Sequence, residues 1–168
     1  MPLPRRLLCV VAVFAGVLAA LPAVAQEEGD AEGDRHAGYY FPEPQSEETY
    51  KARAVALPDS DRSRRLAFVT ILTQQQLNAP YPPSLALFAK GEEAEKLILV
   101  GLRDGPMDTL YRARGVLAML TASARSSELF KQYQVQDIFT FLDLLRLLGF
   151  ERLTLSDGKT WAHVIYIE

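Results

Sequence analysis

The C-terminal stretch ERLTLSDGKTWAHVIYIE, residues 151–168, has two runs of strand-forming residues separated by Asp157 and the glycine that follows it. Asp-Gly between such runs is a strong signal for a β-hairpin, because a type I′ turn requires positive φ at both central positions. Residues 158–160, Gly-Lys-Thr, also match the end of a phosphate-binding loop, whose first glycine lies five positions before the second. Leu153 occupies that position, and strand formers follow the segment where a helix would be needed. The stretch therefore predicts a hairpin tip without nucleotide chemistry.

Further upstream, SLALFAK at 84–90 and KLILVGL at 96–102 flank a charged loop that opens with glycine, and they predict a second hairpin. The segment RSRRLAFVTILTQQQLNA follows a cluster of N-cap residues and ends before Pro80, which favours a helix over about 61–78. A buried strand that includes residues 66–69 is the alternative, because periodicity alone does not separate the two.

Residues 107–125 carry apolar side chains at helical spacing, with arginines largely outside that stripe, and predict a helix. Residues 137–150 predict another, which ends at a glycine, Gly149. Composition also favours a short helix over 50–57. The main elements follow the order helix, hairpin, two helices, hairpin. This order predicts an α+β fold with the helices packed on one face of a small, mainly antiparallel sheet of about four strands.

The first 25 residues have the parts of a secretory signal peptide. An arginine pair precedes an uncharged, mostly apolar run over 7–21, and Ala25 closes a small-residue cleavage motif before Gln26. A bilayer span needs about 20 apolar residues, so an uncleaved anchor is the weaker alternative. The residues around the arginine pair do not fit a twin-arginine signal, which favours general secretion to the periplasm.

Cleavage there leaves residues 26–168, with 16 basic and 21 acidic residues and a net charge of −5. This charge disfavours nucleic acid and anionic membrane surfaces as partners, because both attract a basic face. Cys9, the only cysteine, is removed with the signal. Residues 26–48 are acidic and poor in aliphatic side chains, which predicts a disordered tail. Aromatic residues 39–41 interrupt this tail, and a single α+β domain is expected over 49–168.

No group of residues has the spacing of a known catalytic or metal site, so we expect no catalytic residue, metal or cofactor. We expect His163, on the terminal strand, to be a hydrogen-bonded residue of the sheet. The other histidine, His36, lies in the acidic tail. Two carboxylates flank Gly-Pro at a helix entry, and three arginines follow on that helix: Asp104, Asp108, Arg112, Arg114 and Arg125. Their expected roles are helix entry for the acids and solvation or ion pairing for the arginines.

Two aromatic residues are candidates to face a partner. Tyr81 lies in the stiff segment APYPP, and Trp161, the only tryptophan, lies on the terminal strand. A module that binds peptides or proteins uses such residues beside an exposed sheet edge. The alternative is a rigid linker and a packed strand.

Four stretches resemble a family of small exported bacterial proteins of unassigned role: APYPPSLALFAKGEEAEKLILVGLRDG, TLYRARGVLAMLTASAR, DIFTFLDLLRLLGFERLTLSDG and the closing WAH. The resemblance covers about residues 47–167. Some members carry the label molybdopterin-guanine dinucleotide biosynthesis protein A, which implies a nucleotidyltransferase that uses GTP and has a glycine-rich phosphate loop. This sequence contains no such loop, so the resemblance implies fold and export and transfers no functional residue.

The leading functional hypothesis is a periplasmic, non-enzymatic interaction or accessory protein whose partner is another envelope protein. The alternative is an enzyme or small-ligand binder whose site assembles from scattered residues, among them His163, Asp157 and the arginines of the helix. The weaker alternative is the molybdenum-cofactor nucleotidyltransferase that the label implies. The sequence leaves the oligomeric state open.

Overall fold

The computed structural model describes residues 42–103, Gly105 and residues 107–168. This part of the chain forms one five-stranded sheet and four helices. In chain order the elements are β1 (Ser46–Tyr50), α1 (Arg62–Leu77), β2 (Leu85–Lys90), β3 (Lys96–Gly101), α2 (Leu110–Arg125), α3 (Glu128–Gln132), α4 (Phe141–Leu147), β4 (Arg152–Ser156) and β5 (Ala162–Ile167). The predicted signal peptide, its cleavage site and residues 26–41 of the predicted tail lie outside the described residues.

The sheet has the strand order β1-β5-β4-β3-β2. The pairs β2–β3 and β4–β5 are the two predicted antiparallel hairpins, whereas β3–β4 and β1–β5 are parallel. The α+β class is confirmed, but the prediction of a mainly antiparallel sheet is wrong because the sheet is mixed. A parallel pair requires a long crossover connection, so its two strands are distant in the sequence and no local turn signal indicates the pairing.

Sequence analysis missed the strand β1. The last three residues of the predicted tail belong to this strand, and residues 51–57 form no helix. Pairing continues beyond the strand, because Glu168 N–H donates to Tyr50 O at 3.0 Å and Ala52 N–H donates to Glu168 O at 2.7 Å. These main-chain partners outweigh the weak helix preference of Ala, Lys and Arg.

The first two helices agree closely with prediction. For residues 61–78 the helix was correct and the strand alternative is wrong: α1 begins after Asp61, whose carboxylate accepts the Arg64 N–H at 2.8 Å. The helix α2 begins three residues later than predicted, because Thr109 is its N-cap.

The region after α2 differs more from prediction. The connector contains the short helix α3, which was not predicted. The helix α4 is shorter than residues 137–150, because a reciprocal capping box between Thr140 and Asp143 begins it and Gly149, at φ +79°, follows its end. The predicted element order was therefore wrong in two places: the strand β1 precedes α1, and the short helix α3 lies between α2 and α4.

Successive strand residues point to opposite faces of the sheet. On the helical face, strand residues join one buried cluster with side chains of the helices: Leu97, Leu99, Leu153, Leu155 and Ile165 with Phe130, Phe141 and Leu145. The opposite face, here called the second face, carries Phe88, Ile98, Val100, Thr154, Ser156, Ala162, Val164 and Tyr166. The helical face thus contains the continuous core, and the strands separate it from the second face.

Candidate functional site

Four side chains meet where β1 borders the helical face: Ser46, Glu48, Arg114 and His163, here called the polar edge cluster. The parallel register places Ser46 beside His163, and the two-residue period of a strand places Glu48 on the same face. Ser46 Oγ lies 2.8 Å from His163 Nδ1, and His163 Nε2 lies 3.5 Å from Glu48 Oε1. Glu48 Oε2 accepts a hydrogen bond of 2.9 Å from Arg114 Nη2. A histidine ring thus connects a serine hydroxyl to an ion pair.

His163 is the buried member of this cluster, with 1% of its surface exposed. Its ring stacks on the indole of Trp161, with a centroid distance of 6.2 Å and an interplanar angle of 16°. Its Nε2 has no hydrogen-bond partner among the described residues, since Glu48 Oε1 stands beyond the usual distance of about 2.7–3.2 Å. The expected hydrogen bonding of His163 is therefore present at Nδ1 alone. Trp161 is half-buried and packs against the core.

The cluster has the residue types of the Ser–His–acid triad of a serine hydrolase, but the two imidazole nitrogens have exchanged partners. In a Ser–His–acid triad the hydroxyl bonds to Nε2 and the carboxylate bonds to Nδ1. Here the hydroxyl of Ser46 is at Nδ1 and the carboxylate of Glu48 is nearest Nε2. When the proton is on Nε2, Nδ1 accepts the hydrogen bond from Ser46, so the imidazole can act as a base toward that oxygen.

Sequence analysis singled out His163 but placed Ser46 and Glu48 in a disordered tail. Their spacing of two residues is the one local signal that would put both side chains on one face of a strand. The partners of that strand are more than 100 residues away, because Ser46 and His163 are separated by 117 positions. The cluster is therefore a product of the parallel β1–β5 pair.

The tip of the β4–β5 hairpin is a turn, as predicted, but it is not a type I′ turn. Asp157 N–H donates to Trp161 O at 3.1 Å, and φ is positive at Gly158 but not at Asp157. Asp157 Oδ1 accepts the N–H groups of Lys159, Thr160 and Trp161 at 2.8–2.9 Å. Partial burial raises the pKa of Asp157, but these backbone donors and the Thr160 hydroxyl together lower it below its ordinary value of 3.8. The Gly-Lys-Thr segment is thus organised around a carboxylate of the turn itself.

The three arginines of α2 do not converge on one site. Arg112 forms an ion pair of 2.6 Å with Asp108, four residues earlier. Arg114 belongs to the polar edge cluster, and Arg125 is exposed in the last turn. Two residues considered in the sequence analysis lie outside the described part of the chain: Asp104 and His36.

At the opposite edge of the sheet, β2 directs main-chain groups outward. Leu102 N–H donates to Ser84 O at 2.9 Å. In an antiparallel pair, alternate residues exchange hydrogen bonds with the neighbouring strand. Leu87 and Ala89 therefore point their N–H and C=O groups away from β3. Neither N–H has a hydrogen-bond partner within the described part of the chain.

The entrance to β2 is apolar and exposed. Tyr81 is 76% exposed, Leu77 at the end of α1 is 65% exposed, and Leu102 after β3 is 55% exposed. Gln76 Oε1 accepts the Leu85 N–H at 3.3 Å, which holds the end of α1 beside the start of β2. We call this corner, together with the outward groups of β2, the β2 edge surface.

A buried carboxylate supports the end of β1. Asp143 is fully buried, and its two oxygens accept hydrogen bonds from Arg53 N–H, Thr140 N–H, the Thr140 hydroxyl and the Tyr50 hydroxyl at 2.7–3.0 Å. Burial is the main cause that raises the pKa of Tyr50; the Thr140 contact lowers it and Asp143 raises it further. These contacts fix β1 to the start of α4.

A buried guanidinium supports the other side of the molecule. Arg65, the one buried residue of α1, donates from Nε to Glu93 O at 2.8 Å and from Nη1 to Ser60 O at 3.0 Å and Gly149 O at 3.3 Å. Carbonyls from three loops therefore surround one planar cation, and this geometry suits arginine better than lysine. These contacts hold α1 beside the β2–β3 turn.

An open cavity of about 360 Å³ is lined by residues near the C-terminus and does not include the polar edge cluster: Arg146, Glu151, Tyr166, Ile167 and Glu168. The described residues contain no group of three or more His, Cys, Asp or Glu side chains placed to bind a metal ion. None of the helices in the described ranges is long and apolar enough to cross a membrane. Comparison of the chain with protein-family models, with curated proteins and with solved structures finds no match in any of the three.

Proposed function

We propose that this is an exported periplasmic accessory protein that acts without catalysis, by binding an extended segment of another envelope protein as an added strand on β2. The observation that carries the proposal is the β2 edge surface. It combines outward N–H groups at Leu87 and Ala89, which have no hydrogen-bond partner among the described residues, with an exposed apolar corner at Tyr81, Leu77 and Leu102. The signal peptide predicted over residues 1–25 supports the location.

Strand addition uses both parts of this surface. Main-chain hydrogen bonds to an edge strand supply affinity, and side-chain contacts at alternate positions supply specificity. Natural proteins usually protect an edge with charges, proline or a bulge, whereas the middle of β2, Leu-Ala-Leu-Phe-Ala, has none of these. The preferred partner segment is extended and carries an apolar residue that contacts Tyr81.

The test is capture of envelope proteins on tagged protein, compared between Ala89→Pro and Ala89→Ser. Proline removes the outward N–H of Ala89 without removing a hydrogen bond to β3, and serine is the matched control with the N–H intact. We expect Ala89→Pro to weaken capture of the bound protein by about tenfold or more, and Ala89→Ser to leave it unchanged. Tyr81→Ala should also weaken it.

Hydrogen exchange locates the contact directly. In the purified complex, the amides of Leu87 and Ala89 should exchange more slowly than in the free protein, since they become hydrogen-bonded. Equal capture by the proline and serine variants, or slower exchange only at other strands, would refute strand addition.

A second candidate function is acyl or phosphoryl transfer at the polar edge cluster. The specific observation in its favour is the 2.8 Å contact between Ser46 Oγ and His163 Nδ1, in a ring whose Nε2 has no hydrogen-bond partner in the part of the chain that the structure describes. A fluorophosphonate probe would then label Ser46, with fluoride leaving and the imidazole accepting the hydroxyl proton. We expect labelling to be lost in Ser46→Ala and kept in the control Ser60→Ala. An unlabelled wild-type protein would exclude this activity.

A further inference from the structure

The centre of the second face is as inaccessible to water as the helical face, whereas Tyr166 near its end is 39% exposed. Ile98 is 3% exposed, Val100 is 5%, Val164 is 1% and Ala162 is 0%. Phe88 lies beside Ile98 in the β2–β3 register and is half-buried. A sheet face that is open to solvent normally carries exposed polar side chains. These residues are apolar and buried, and the polar side chains between them, Thr154 at 1% and Ser156 at 0%, are buried as well, so the centre of the second face is a covered surface.

The helices in the described part of the chain lie on the other side. Phe68 of α1 packs 6.4 Å from Phe141 of α4 and 6.0 Å from Phe150, centroid to centroid. The helix α2 reaches the helical face through Arg114 and Glu48. The continuous core cluster contains none of the second-face residues. The cover is therefore supplied from outside these helices.

We propose that the aromatic residues 39–41, Tyr-Tyr-Phe, dock on the second face and form its cover. They immediately precede the described part of the chain, which begins at Pro42. They are also the large apolar side chains in a segment that is otherwise acidic and polar. Aromatic rings contribute a large apolar area from few residues, so three adjacent rings suit a surface of Phe, Ile and Val.

The path of the chain places these residues within reach. Gln45 N–H donates to Ala162 O at 2.9 Å, so the chain joins the sheet beside a second-face residue at the start of β5. Four residue steps separate Phe41 from the paired Gln45, and an extended chain spans about 3.3 Å per residue, or roughly 13 Å in all. Neighbouring strands are about 4.8 Å apart, so the two steps from β1 to β4 measure roughly 10 Å. Phe41 can therefore reach β4, which lies between the strands of Val164 and Val100.

Photocrosslinking identifies the occupant. Benzoylphenylalanine is placed at Phe41 in the full 168-residue chain, and the protein is purified from cells that express it. We expect crosslinks within one chain to the strands that carry Val100 and Val164. The same group at Tyr133, which is 52% exposed, is the control and should give none to these strands. Crosslinks that join two chains would identify a second copy as the occupant and overturn the proposal, as would the absence of crosslinks from Phe41 to these strands.

A second measurement does not depend on the crosslinker. The triple variant Tyr39→Ser, Tyr40→Ser, Phe41→Ser should uncover the second face and raise the fluorescence of an apolar dye such as ANS by about twofold or more. Its urea midpoint should fall, whereas Val55→Ser, which changes a residue that is 81% exposed, should leave both quantities unchanged. An unchanged dye signal and midpoint in the triple variant would show that other residues cover the face.

Discussion

The two edges of the sheet are held in different ways. The strand β1 has a parallel partner at the far end of the sequence, and side chains reinforce that pairing through Tyr50–Asp143, Ser46–His163 and Glu48–Arg114. The strand β2 has an antiparallel partner across a short local turn, with one side-chain cap at its entrance. A distant partner requires a larger loop-closure entropy than a local hairpin, so β1 depends on polar anchors that β2 does not need.

This difference also separates the two candidate functions. The anchors of β1 concentrate polar groups at one edge, where Ser46 and His163 meet. The β2–β3 hairpin does not need such anchors, and at the other edge of the sheet Leu87 and Ala89 point main-chain groups outward. Catalysis would use the polar edge, whereas strand addition would use the apolar one.

The largest expected effect is that of Asp143→Ala, which removes the main anchor of β1. Buried donors from Tyr50, Arg53 and Thr140 lose their acceptor, so we expect the free energy of unfolding to fall by about 3 kcal/mol or more. Urea unfolding measures it. The control Asp108→Ala breaks an exposed ion pair and should cost less than about 0.5 kcal/mol. Similar losses in the two variants would contradict the importance of the buried anchor.

On the β2 side, Gly149→Ala tests the packing of the Arg65 guanidinium. A Cβ at Gly149 would lie 2.5 Å from Arg65 Nη1, and the backbone there has φ +79°. We expect a loss of about 2 kcal/mol in thermal or urea unfolding. Gly115→Ala is the matched control, because Gly115 lies in α2 with open space around its Cβ position, and it should stabilise the protein by about 0.5–1 kcal/mol. Equal effects of the two substitutions would be the contrary result.

A smaller effect is expected for Tyr50→Phe, which removes the hydroxyl contacts to Thr140 and Asp143 at a cost of about 1 kcal/mol near neutral pH. The pKa of Tyr50 is raised in the folded protein, mainly by burial. Its contribution to stability is therefore complete below the ordinary value of 10.0 and is lost as the pH rises through the folded value. The difference in the free energy of unfolding between wild type and Tyr50→Phe should become smaller above about pH 10. The control Tyr111→Phe removes a hydroxyl from a side chain that is 87% exposed and should change the free energy of unfolding by less than about 0.5 kcal/mol.

The smallest effect is expected for the β4–β5 turn, because the stabilising contacts of Asp157 are all with residues close in sequence. Asp157→Ala removes the acceptor of three backbone N–H groups, and we expect a loss of about 1 kcal/mol or less. The pKa of Asp157 is lowered, so its stabilising effect is present above 3.8 and disappears as the pH falls through the folded value. The difference in the free energy of unfolding between Asp157→Ala and wild type should disappear in acid. The control Asp137→Ala should change the free energy of unfolding very little. A difference in the free energy of unfolding between wild type and Asp157→Ala that is the same at every pH would contradict the role given to the Asp157 carboxylate.

Local signals were sufficient for much of this fold. Both hairpins, α1 and most of α2 follow from turn residues, N-caps and apolar periodicity, which act within a few residues. The missed features depend on contacts between distant parts of the chain. The clearest is β1, an acidic pentapeptide that becomes a strand because residues 163–167 lie beside it.

The candidate site shows the same division. His163 and Tyr81 could be selected from sequence because the chain has only two histidines and because a tyrosine between prolines is unusual in itself. Ser46 and Glu48 could not, since their role depends on the register of the parallel pair. The open edge of β2 was also beyond prediction, because sequence does not reveal which hairpin strand lies at the border of the sheet.

The pairing of β1 with β5 has a consequence for the order of folding. Ser46 meets His163 across 117 positions, so β1 docks on a strand that is synthesised more than 100 residues later. The sheet cannot close until β5 has emerged, whether from the ribosome or across a membrane. The polar edge cluster therefore forms only after β5 is available, and a chain shortened before His163 would lack that edge.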